Sequence, residues 1–95
     1  MTAMTPENAQ TLALEALGWI AGNDELLPVF LGATGADGAT LRAGAGDPAF
    51  LGSVLDFLLM DDAWIVAFCD AAGRAYEAPR SARAALPGGD LADWA

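Results

Sequence analysis

Asp56, Asp61 and Asp62 stand close together in the chain, and no other carboxylates are spaced so suggestively. Neighbouring carboxylates can divide the work of general acid and base, or share a divalent cation such as Mg²⁺ or Ca²⁺. The pattern goes no further. The alternating acidic spacing of a calcium loop is missing, and so is the Glu-x-x-His pair of di-iron bundles. Helix capping is the simpler reading, with Asp24, Asp47 and either Asp61 or Asp62 at helix starts. A weak divalent-metal enzyme or binder using Asp56, Asp61 and Asp62 is the alternative.

Other catalytic chemistry lacks its usual residues. The chain has no histidine and no lysine, and its four cationic side chains are all arginine. This removes the commonest general base, the commonest metal ligand and any Schiff-base or P-loop lysine. The lone Cys69 shares a helical phase with Ile65 and Phe68, which marks a buried thiol rather than a nucleophile. The glycine-rich stretch from Gly32 to Gly46 fits neither phosphate-binding fingerprint and follows no strand, so it reads as a linker. No catalytic residue, cofactor or resident metal is expected.

Charge narrows the partners. Thirteen acidic residues against four arginines leave a net charge of −9. Phosphate backbones and anionic lipid surfaces need cationic side chains, so neither nucleic acid nor membrane is an expected partner. The longest apolar stretch is cut by Asp56, Asp61 and Asp62, unlike a membrane span of about 20 apolar residues. A single cysteine forms no internal disulfide, and no secretory signal opens the chain. The expectation is a cytoplasmic protein whose partner, if any, is another protein or a second copy of itself.

Aromatic residues offer the sharpest functional suggestion. Trp64 falls in a core phase. Trp19 lies off the stripe that contains Leu17 and Ile20, and Phe57 is displaced in the same way. Together Trp19 and Phe57 can form a second apolar face, packed on neighbouring segments or open to a partner.

The elements that must position these residues read as helices throughout. Thr5 and Pro6 start the first, and Ala9, Leu12, Ala13, Ala16, Leu17 and Ile20 make its inner face. Gly22 is a natural stop, free to take a positive φ. Asn23 or Asp24 opens a second helix, with Leu26, Leu27, Phe30 and Leu31 inward and Gly35 at its end. The plan recurs 38 residues later, where Leu17, Asp24, Phe30, Ala33 and Gly35 align with Leu55, Asp62, Phe68, Ala71 and Gly73. One long helix from Phe50 to Ala72 competes with a break near Asp61. The break is preferred, because adjacent aspartates suit an N-terminus and not a helix interior. Short helices near Leu41 and from Pro79 complete each half. The expected fold is all-α, a single domain over residues 1–95 in which two similar helical hairpins pack face to face, ending in a flexible tail over 88–95.

The segments "LALEALGWIAGNDELLPVFLGATG", "DPAFLGSVLDFLLMDDAWIVAFC" and "SARAALPGG" resemble a family of small alphaproteobacterial proteins known as domain of unknown function 3572. The resemblance runs from about Thr5 to Gly88. It implies a compact, cytoplasmic, all-helical protein and supplies no catalytic or ligand-binding residues. The residues favour a non-catalytic protein-interaction or regulatory module. An apolar ligand held between the hairpins is a third possibility that no residue marks.

Overall fold

Among the described residues the chain forms six helices, five of them opened by a side chain that accepts from a first-turn N–H. The computed structural model describes residues 4–86. In α1 (Pro6–Ala21) the Thr5 hydroxyl oxygen accepts from the Asn8 N–H at 3.1 Å, with Pro6 in the first turn and Glu7 set against the helix dipole. The start of α2 (Leu26–Thr34) is held by Asn23, whose Oδ1 accepts from the Glu25 and Leu26 N–H groups at 3.0 and 3.1 Å. Pro28 sits in the first turn of α2, where its missing N–H has no helical partner to lose. Asp37 caps α3 (Gly38–Gly44), accepting from both the N–H and the hydroxyl of Thr40. Asp47 caps α4 (Pro48–Leu58) through the Ala49 N–H at 3.0 Å, and Asp61 caps α5 (Asp62–Ala72) through the Ala63 N–H at 2.8 Å. The last helix, α6 (Ala78–Ala85), has Pro79 in its first turn.

These helix starts and ends correct two expectations, at Asp24 and Gly22, decide the open choice between Asp61 and Asp62, and bear out the preferred break near Asp61. Asp24 caps nothing; Asn23 does that work because its amide oxygen lies within reach of two N–H groups. Of the Asp61–Asp62 pair, Asp61 is the cap and Asp62 is the first helical residue. The long helix from Phe50 to Ala72 is interrupted, since α4 ends at Leu58 and α5 opens at Asp62. Gly22 follows α1 with right-handed backbone (φ −85°), so its freedom to take positive φ goes unused. That freedom is used at Gly35 and Gly73, both at φ 70°, where α2 and α5 end in left-handed caps.

The centre of the fold is a trio of helices. Helix α1 packs along both α4 and α6, and α4 and α6 also meet. Ala9, Ala13 and Ala16 on α1 and Ala82 on α6 are fully buried, and small side chains let helix backbones approach closely. Leu12 and Ile20 of α1 and Leu51, Val54, Leu55 and Leu58 of α4 fill the space between. Helices α2 and α5 lie at the flanks and contribute Leu26 and Phe30, and Ile65, Phe68 and Cys69. The helix order follows the 38-residue offset, but the packing does not repeat with it. Helix α6 lies against both α1 and α4, whereas α3 packs chiefly on α4.

Among the described residues, two ion pairs fasten the exterior. Arg74 donates from Nε and Nη2 to Glu15 at 2.7 and 2.9 Å, tying the turn after α5 to α1. Arg83 donates from Nε and Nη2 to Asp56 at 2.6 and 3.2 Å, tying α6 to α4. No buried side-chain nitrogen or oxygen among the described residues lacks a partner. The expected tail over 88–95 and Trp94 lie outside the described residues.

Candidate functional site: an apolar groove beside α4

The nominated acidic trio does not assemble. Asp56 is committed to Arg83, Asp61 spends its Oδ1 on the cap of α5, and Asp62 is exposed one residue further on. Among the described residues no group of three or more histidine, cysteine or carboxylate side chains is placed to hold a metal ion. Among the described residues the metal reading therefore has no such group to rest on.

Trp19 and Phe57 are also kept apart. Trp19 is partly buried, edge-on to Phe68 with ring centroids 5.9 Å apart. It lines a polar hollow with Gly18, Gly22 and the loop Asn23–Glu25. Phe57 is only 3 % exposed and belongs to the core. It meets Phe30 edge-on at 5.1 Å and lies nearly parallel to Trp64 at 4.7 Å.

Phe57 nevertheless reaches one feature of the surface. A groove of about 410 Å³ runs between α4 and the α2–α3 turn. Phe50, Ser53, Asp56 and Phe57 of α4 form one wall, with Met60 just past its end. Ala33, Thr34, Gly35 and Ala36 form the other, with Thr40 of α3 beside them. The Phe50 ring is held edge-on to Phe30 at 6.3 Å, and it fills the space that a Cβ on Gly44 would need. Met60 stands 73 % exposed at one end.

The polar groups of the groove are already engaged. The Ser53 hydroxyl donates to the Phe50 carbonyl at 2.6 Å, and the Thr34 hydroxyl to the Phe30 carbonyl at 2.8 Å. Asp37 accepts from the Thr40 N–H at 2.8 Å and from its hydroxyl at 2.9 Å, and these bonds, the N–H first, hold the Asp37 carboxyl below its ordinary range. What the groove leaves on offer is mostly apolar surface.

This surface continues beyond the groove. Helix α2 carries no charged residue along its length, yet it fully buries only Leu26 and Phe30. Val29 is 49 % exposed, and Ala33 lies one turn further along the same stripe. Val29 also lines a hollow with Trp64, the ring stacked on Phe57. Val29, Ala36 and Met60 are not singled out by the sequence, and Ala33 stands out there only as a position shared with Ala71 in the repeat. The available signal was an uncharged helix with too few inward positions to bury its apolar residues.

Cys69 has a different environment from a reactive thiol. It is buried, its Sγ donates weakly to the Ala75 carbonyl at 3.4 Å, and burial raises its pKa. Among the described residues no helix is long and apolar enough to cross a membrane.

No curated protein and no solved structure matches the chain. One family model does, across residues 6–89, and its description is "Protein of unknown function (DUF3572)". That match takes in all six helices and both walls of the groove, and the chain belongs to the DUF3572 family.

Proposed function

We propose that the protein is a non-catalytic protein-interaction module that docks its partner in the groove between α4 and the α2–α3 turn. One observation carries this reading: the groove is open, its hydroxyl protons are committed within the fold, and it exposes Met60 beside Phe50 and Phe57. Contiguous apolar surface of this kind marks sites where proteins meet. No arginine or lysine is among the residues that line the groove, which disfavours nucleic acid as the occupant. We place the protein in the cytoplasm, where a lone buried thiol such as Cys69 stays reduced.

The test is site-specific photo-crosslinking in the native cell. A photoreactive residue replaces Met60 in one variant and Glu7, exposed on α1, in another. A discrete adduct from position 60 that position 7 does not give supports the reading. No adduct from position 60, or the same products from both positions, overturns it.

A further inference from the structure

We infer that the groove takes one amphipathic helix of a partner protein, with apolar side chains set against Phe50, Phe57 and Met60 and lysine or arginine at its flanks. The inference rests on the docking function proposed above and adds the chemistry of the occupant.

Shape sets the apolar half of the argument. The α4 wall runs from Phe50 to Met60, about 15 Å at the helical rise, which matches about three turns of a partner helix. An apolar stripe in an open trough is the helix-in-groove mode of recognition, read through anchors at i, i+3, i+4 and i+7. The trough offers no free strand edge, since both of its walls are helix or turn.

Charge sets the other half. Asp37 directly follows the lining residue Ala36, and Asp61 and Asp62 directly follow Met60. Asp56 is in the wall itself, paired with Arg83. Each wall of the groove thus has a carboxylate next in the chain to one of its lining residues, and the net charge of the chain is −9. A partner with acidic flanks meets like charge beside either wall, whereas a basic one is steered in.

The experiment uses the full-length protein and a synthetic helical peptide of about three turns. The peptide carries leucine at the four anchor positions and lysine at its flanks. One control replaces each lysine with glutamate; a second keeps the composition of the lysine peptide but scrambles its order. Backbone amide shifts report where each peptide binds. The lysine peptide is expected to move the amides of Ala33, Ala36, Ser53 and Met60 and to weaken as salt rises. Met60→Ser should lower its affinity about tenfold through lost apolar contact. Asp62→Asn should lower it about twofold and flatten the salt dependence.

Equal binding by the glutamate peptide overturns the basic-partner inference, and so does equal binding by the scrambled one. If no peptide binds while position 60 still crosslinks a protein in cells, the docking function stands and the inferred partner chemistry fails. If the lysine peptide binds only after residues 87–95 are removed, the groove belongs to the chain's own C-terminal segment and the inference is wrong. Concentration-dependent shifts at the same amides without peptide assign the groove to a second copy of the chain, with the same consequence.

Discussion

Phe57 lies on Trp64 with ring centroids 4.7 Å apart and planes 20° from parallel, joining the end of α4 to the start of α5. Phe57 lines the groove on one side of this stack, and Trp64 lines the hollow beside Val29 on the other. The ring of Phe30 closes the stack from within. Core and groove therefore share a residue.

That sharing separates two kinds of substitution. Phe57→Ala should cost about 3–5 kcal/mol of stability because it empties a buried ring site. Met60→Ser, at an exposed position in the same groove, should change stability by no more than about 0.5 kcal/mol. Urea unfolding of both variants measures the difference. Comparable losses would place Met60 in the core.

Phe30 of α2 and Phe68 of α5, 38 residues apart, are both almost fully buried against the central trio. Truncating either to alanine should cost about 3–5 kcal/mol, a large part of the stability of an ordinary small domain. Native-like melting of either variant would contradict the packing described for that flank.

The aspartate pair at the start of α5 gives an asymmetric prediction. Asp61→Ala removes the acceptor for the Ala63 N–H and should cost about 1 kcal/mol. Asp62→Ala removes only a favourable charge in the first turn, worth a few tenths of a kcal/mol when exposed. Chemical denaturation of the two variants compares them directly, and a larger loss at Asp62 would reverse the assignment of the cap.

Acid should loosen the tie between α1 and the turn after α5. Hydrogen bonding to Arg74 holds the Glu15 carboxyl below its ordinary value of 4.5, so this group binds fewer protons folded than unfolded. Its contribution is complete above about pH 4.5 and is lost as pH falls through the lowered folded value. The Glu15 side chain is 41 % exposed, so solvent keeps the contribution below about 1 kcal/mol. Glu15→Gln should therefore lower stability slightly near neutral pH and converge with wild type in strong acid. A constant difference across the range would show that the pair is not the cause.

Helix boundaries were legible in the sequence because their signals are local. Thr5 with Pro6, Asp47 with Pro48, and the terminal glycines Gly35 and Gly73 each act within one turn of themselves. The break between α4 and α5 was legible for the same reason. Choosing between Asn23 and Asp24, or between Asp61 and Asp62, depended on which oxygen reaches which N–H, and adjacent residues do not reveal that. The groove was not legible. Its walls come from separate helices, and the partners Asp56 and Arg83 are 27 residues apart. Phe57, read in the sequence as displaced from the main stripe of α4, is buried with that stripe; its ring partners are Phe30 and Trp64, and the ring beside Trp19 is Phe68.

The most direct test of the central claim is crosslinking from position 60 in an Ala33→Arg background. Ala33 is exposed on the opposite wall, so arginine there fills the groove without entering the core. The account predicts that the adduct disappears while the thermal midpoint stays within about 4 °C of the parent's, the shift that a surface change of no more than about 0.5 kcal/mol brings. An adduct that persists undiminished would contradict the assignment of this groove as the docking surface.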